Sequence, residues 1–226
     1  MDNLSCDTVS ATKMALCDTL EINDKTKIYD NIHLYPKIFF NLNIRFDYSK
    51  YENITYLKFG KRFNQHVIIG LPINLTHLVF GSDFNQPIDY LPDNLKYLDL
   101  RCCFAFNQSL DNLPPNLISL ALGACFNQSV DNLPSGLKYL SFGRYFNQNV
   151  DNLPSGLTYL AFNGDYFTKP LNNIPTSVEY LILDISEQTN INVHMLPDNI
   201  KRISINKKNK EKYRKTKNKD HIIVNI

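Results

Sequence analysis

Apolar residues return along this chain in a fixed pattern. Prolines preceded by Leu or Ile stand at 72, 92, 114, 134, 154, 175 and 197, at spacings of 20, 22, 20, 20, 21 and 22 residues. Three, six and eight positions after each comes an aliphatic or aromatic residue, as in Leu75, Leu78, Phe80 and in Leu137, Leu140, Phe142. The series ends with Val178, Leu181, Leu183 and then Ile200, Ile203, Ile205. Ile54, Leu57 and Phe59 fit one unit earlier, with Tyr51 in the proline slot. A fixed period is the signature of a repeat array, and this one gives about eight units over residues 51–206. The last two apolar positions alternate with polar ones, which predicts a short strand with one buried face. A unit of this length has no room for a strand, two turns and a return helix, and Leu-Pro favours an extended return path. The pattern therefore predicts a β-rich repeat solenoid with parallel strands on one face.

Two further positions recur. Gly60, Gly81, Gly123 and Gly143 stand nine residues after the proline slot, where glycine suits a positive φ as the chain leaves the strand. Asn163 takes this slot in a later unit, and Arg101 breaks the pattern. Phe-Asn-Gln follows at 63–65, 84–86, 106–108, 126–128 and 146–148, and Phe167-Thr168-Lys169 is a degenerate sixth copy. An aliphatic residue, Val130 or Val150 for example, comes four positions after the Phe. Phe and aliphatic read as core. The Asn reads as bonding buried turn backbone, its copies stacking into a ladder along the array.

The run Phe-Asn-Gln-x-Val/Ile-Asp-Asn-Leu-Pro-x-x-Leu-x-x-Leu resembles the FNIP repeat, a leucine-rich-repeat relative typical of social amoebae and of giant DNA viruses that infect amoebae. The resemblance covers about two-thirds of the chain. It implies a leucine-rich-repeat-like, right-handed horseshoe, with the parallel sheet on the concave face and mostly non-helical return segments. Many FNIP proteins carry an F-box before the repeats, which docks onto the adaptor of a cullin-type ubiquitin ligase. Residues 1–50 have no proline before Pro36 and one short helical stretch around Ser10–Leu20, so they match at most a partial F-box-like remnant.

Charge divides the chain further. Residues 207–219 hold eight Lys/Arg against one Glu, a local +7, and the remainder holds 16 Lys/Arg against 21 Asp/Glu, or −5. The organisation read from the sequence is thus an N-terminal cap over 1–50, repeats over 51–206 and a basic tail over 207–226. No apolar run reaches the roughly 18 residues of a membrane span, and Met1-Asp2-Asn3 lacks the basic start of a signal peptide. Five cysteines without framework spacing suggest reduced thiols and a cytoplasmic location. The tail adds a nuclear alternative. Ile222-Ile223-Val224-Asn225-Ile226 is strand-like and reads as an end cap.

The candidate chemistry is sparse. Five histidines are scattered, and no phosphate loop, nucleophile elbow or zinc-protease motif occurs. No catalytic residue, metal ligand or cofactor is assigned. Asp89, Asp111, Asp131 and Asp151 read as turn residues rather than a cation row. Cys103 and Cys125 occupy equivalent slots in adjacent units and read as a thiol pair at the core edge. The column five residues after the proline slot, Tyr56, His77, Tyr97, Ser119, Tyr139, Tyr159, Tyr180 and Arg202, faces away from the core. It is either a ladder supporting the sheet or an aromatic binding strip, with Tyr97, Tyr139, Tyr159 and Tyr180 as the partner-binding residues. The expected function is a non-catalytic scaffold for a protein partner. The alternatives are a ligase substrate receptor, by resemblance, or a nucleic-acid-associated factor acting through the tail.

Overall fold

In every unit the residue in the proline slot opens a turn, and its carbonyl accepts the N–H of the first triplet residue. Leu75 donates to Pro72 at 3.1 Å, Leu137 to Pro134 at 3.1 Å and Val178 to Pro175 at 3.0 Å. The slot thus needs only a carbonyl, which is why Tyr51 serves Ile54 there and Ile32 serves Tyr35. Each turn delivers the chain into a strand. In the computed structural model, which describes residues 19–23, 32–44, 46–67, 70–185, 196–205 and 222–225, eleven strands form one parallel sheet in strict chain order.

They are β1 (Thr19–Ile22), β2 (Lys37–Phe40), β3 (Tyr56–Phe59), β4 (His77–Val79), β5 (Tyr97–Asp99) and β6 (Ser119–Ala121). After these come β7 (Tyr139–Phe142), β8 (Tyr159–Asn163), β9 (Tyr180–Asp184), β10 (Arg202–Ile205) and β11 (Ile222–Asn225). Equivalent positions pair throughout, so Leu120 faces Leu140 and Leu140 faces Leu160. The fold is the β-solenoid that the period predicts. All eight triplets are buried.

The sheet continues beyond both ends of the repeat block. β1 and β2 lie within residues 1–50, a short 3-10 turn at Ile32–Leu34 precedes β2, and β11 pairs with β10 in parallel. Of the helical stretch expected around Ser10–Leu20, Thr19 and Leu20 belong to β1, and the rest lies outside the described residues, as does the basic run 207–219.

Behind the sheet the motif phenylalanines form a continuous stack. Phe63, Phe84, Phe106, Phe126, Phe146 and Phe167 follow one another at centroid distances of 6.1–6.2 Å and interplanar angles of 4–15°. The strand phenylalanines lean on this stack, Phe142 lying 3.7 Å from Phe146.

The glycine slot has a different cause from the one expected. Gly70 is the positive-φ glycine, and it lies outside the slot. At Gly81, Gly123 and Gly143 the constraint is close approach. A Cβ at Gly143 would collide with the carbonyl of Gly123 and stand 2.8 Å from the Ala124 nitrogen, and at Gly81 it would meet the Gly60 carbonyl. Consecutive coils touch backbone to backbone here. Gly143→Ala is accordingly expected to cost about 1–3 kcal/mol, as overpacking does. Urea denaturation checks this, and a variant as stable as the parent would show that the contact is soft.

The asparagine ladder is present. Asn85 N–H donates to Asn64 Oδ1 at 2.9 Å, Asn107 to Asn85 at 3.0 Å, Asn127 to Asn107 at 2.8 Å, Asn147 to Asn127 at 2.8 Å and Thr168 to Asn147 at 2.9 Å. The expectation that these side chains are buried needs correction. Asn107 is exposed and Asn127 and Asn147 are half-buried, because the ladder runs at the rim of the turn outside the Phe stack. Asn127→Ala leaves the Asn147 N–H to water, so a loss of about 1 kcal/mol is expected, the lower end for an unpaired group. A thermal or urea midpoint unchanged within error would mean that solvent replaces the rung at no cost.

Candidate functional site

Because side chains alternate along a strand, the residues between the buried ones project from the sheet in two columns. The first runs Tyr56, His77, Tyr97, Ser119, Tyr139, Tyr159, Tyr180 and Arg202, paired rung by rung. The four tyrosines singled out in the sequence therefore share one face and one column. Tyr97, Tyr139 and Tyr180 are 39%, 49% and 42% exposed, and Tyr159 is half-buried. They are not one continuous stack. Tyr56, His77 and Tyr97 lie face to face, at centroid distances of 5.8 and 4.3 Å, and Tyr139 and Tyr159 form a tilted pair at 6.2 Å. Ser119 interrupts the two groups.

The second column is small where the first has its gap. Ala121 and Ser141 pair beside Ser119 and Tyr139. The result is a groove of about 640 Å³ across the sheet face, walled by Tyr97, Tyr139 and Tyr159 and floored by Ser119, Ala121 and Ser141. Tyr180 lies in the column but is not among the groove's lining residues.

Arg101 closes one side of the groove. It replaces the glycine of other units, so its side chain leaves the coil at the strand end. There Nε and Nη2 donate to the Asp99 carboxylate, with Nη2 2.6 Å from Oδ2. Burial pushes the Asp99 carboxyl up, but the Arg101 hydrogen bonds outweigh it and hold the group below the usual carboxylate range. Burial raises Tyr159, and the Arg101 charge opposes that rise. Burial and the Lys96 charge lower His77, so its ring is neutral at pH 7. Thr76 Oγ1 contacts His77 Nδ1 at 2.9 Å.

The other candidates are structural. Asp89, Asp111, Asp131 and Asp151 each accept a hydrogen bond from the Asn one coil on, Asn112, Asn132, Asn152 and Asn173, at 2.9–3.1 Å. Among the described residues, no three His, Cys, Asp or Glu converge to hold a metal ion. Cys103 is buried and Cys125 half-buried, both free, and burial pushes the Cys103 thiol up, away from thiolate chemistry. Cys6 and Cys17 lie outside the described residues.

Sequence reasoning missed the Asp99–Arg101 pair and the part played by His77. Arg101 standing in a glycine slot was the available signal. It also missed an exposed cluster on the turns, where Tyr145 and Tyr166 sit 4.8 Å apart with Arg144 over both rings.

The family model FNIP Repeat matches residues 63–103, 106–145, 126–152 and 146–185. Among solved structures the chain is similar to CroV588, described as a novel circular LRR protein. That likeness has a TM-score of 0.65 and 33% identity, and it covers 77% of this chain and 27% of that one. It is also similar to the functional domain of InlJ from Listeria monocytogenes, which includes a cysteine ladder. Here the TM-score is 0.54, identity is 18%, and 86% of this chain and 50% of that one are covered, so this likeness shows the fold alone. The chain therefore spans half or less of the length of either neighbour. No curated protein matches it.

Proposed function

Since the chain belongs to the FNIP repeat family, we propose that it is a non-catalytic scaffold that binds a protein partner across the strand face of its solenoid. The observation that carries this reading is the exposed tyrosine column beside the groove at Ser119. Tyrosine loses little rotamer entropy on binding and offers both apolar area and a hydroxyl. Eleven parallel strands at about 4.8 Å give a face of about 48 Å. That is long enough for an interface of about 800 Å² per partner.

The ligase reading draws no support from the described part of residues 1–50, which forms two strands and a 3-10 turn. The nucleic-acid reading rests on residues 207–219, outside the described residues. No described helix is long and apolar enough to cross a membrane. The free thiols at Cys102, Cys103 and Cys125 fit the reducing cytosol expected from the sequence.

Changing Tyr139 and Tyr159 together to Ala is expected to weaken partner binding by at least about 2 kcal/mol, the scale of interface hot spots. The partner is first captured from cytosol with tagged protein, and its affinity for each variant is then measured. Circular dichroism confirms that the variant stays folded. Exposed Ser135 and Ser155 lie off the strands, in the turns after the proline slot, and are the controls. A partner held equally by the double variant would make the column a support of the sheet and move the interface elsewhere.

A further inference from the structure

Three cations stand at or beside the groove, Arg101, Lys58 and Lys96. Arg101 lines the groove. Lys58, on β3, is near enough for its charge to act on Asp99, and Lys96 acts likewise on His77. The groove's own lining holds Arg101 and Asp99, which balance, and Lys58 and Lys96 beside it make the local charge positive.

Arg101 is the best placed of the three. Its side chain is 69% exposed, its guanidinium is fixed by Asp99 through Nε and Nη2, and Nη1 has no acceptor among the described residues. A guanidinium fixed on one edge is pre-organised for a carboxylate on the other. Next to it the floor is small and the walls are aromatic rings, a seat for an apolar side chain. We propose that the partner enters this groove as an extended acidic segment, seating one apolar side chain over Ser119 between Tyr97 and Tyr139 and one carboxylate on Arg101.

This rests on the strand-face reading and adds the chemistry of the partner. A nucleic acid is the less fitting occupant. Three cations around an apolar floor, one of them held by a carboxylate, give little to track a phosphate backbone.

The test uses the full chain and fluorescence anisotropy with three labelled short peptides. One is rich in Glu with a central Phe, one has Lys for each Glu, and one has Ala for the Phe. A single-stranded oligonucleotide is the fourth probe. The Glu peptide with Phe is expected to bind, more weakly as salt rises to about 0.5 M. Its Kd is expected to rise about tenfold with Arg101→Gln, the scale of a charge-assisted hydrogen bond. Loss of the Phe is expected to weaken it similarly, and the Lys peptide is expected not to bind. The proposal is overturned if the Lys peptide or the oligonucleotide binds as tightly, if Arg101→Gln leaves the Kd unchanged, or if no acidic peptide binds below about 1 mM.

The two readings fail differently. A natural partner lost from the Tyr139/Tyr159 variant but indifferent to Arg101→Gln removes only the acidic chemistry. Acidic-peptide binding that survives both changes removes the strand face as the site.

Discussion

Phe126→Ala is expected to cost about 3–5 kcal/mol, the range for truncating a buried phenylalanine. The ring is fully buried and sits in the middle of the phenylalanine stack, 6.2 Å from Phe106 and 6.1 Å from Phe146. Alanine there opens a void between two rings fixed by their own coils, and neither ring can close it without pulling its backbone out of the asparagine ladder. The cavity therefore persists and adds to the lost transfer energy. Each coil touches mainly its two neighbours, so a break at Phe126 also uncouples the N-terminal from the C-terminal half of the array. Urea unfolding followed by circular dichroism measures the loss, and hydrogen exchange on either side of residue 126 tests the uncoupling. A stability equal to the parent's would mean that the stack contributes shape but no energy.

Leu140→Ala is expected to cost about 2–5 kcal/mol, as buried leucine truncations do. Leu140 is fully buried on β7 and pairs with Leu120 on one side and Leu160 on the other. Leu120→Ala, one strand away in the same environment, is expected to fall in the same range. Their sum is not expected in the double variant, because the two side chains share one cavity. Chemical denaturation of the two single variants and the double variant forms the cycle. A Leu140→Ala protein unfolding at the parental midpoint would contradict the burial of the triplet.

The triplets were legible because three buried positions per unit, repeated in register, leave a period that no surface drift erases. β1 and β2 were harder to read because they lack the anchors. Ile38-x-Phe40 and Leu20-x-Ile22 keep the strand alternation, and Asn43 even accepts the N–H of Asn64 as the first rung of the ladder. But Ile32 stands where other units have proline, and Leu42 precedes Asn43 where they have Phe. The turn needs a carbonyl and the stack needs an apolar body, and neither demand fixes a residue type.

The glycine slot was misread for a related reason. A glycine in sequence announces a missing Cβ, and only the neighbouring coil reveals whether the cause is φ or contact. The tyrosine column followed from strand alternation alone. The groove did not, because it depends on three small residues in two columns, Ser119, Ala121 and Ser141, and on an arginine whose partner lies two residues back.

The ladders also bear on how such a chain changes length. Every coil between Asn85 and Thr168 offers an N–H to the coil before it and an amide oxygen to the coil after it. A coil copied into the array, such as the twenty residues from Asp131 to Val150, would find both partners waiting, and a coil cut out would leave neither face orphaned. The repeat is thus a unit of inheritance as well as of packing. Duplication or loss of a single coil lengthens or shortens the strand face by about 4.8 Å without asking any other rung to change, so the length of the face can be set by counting.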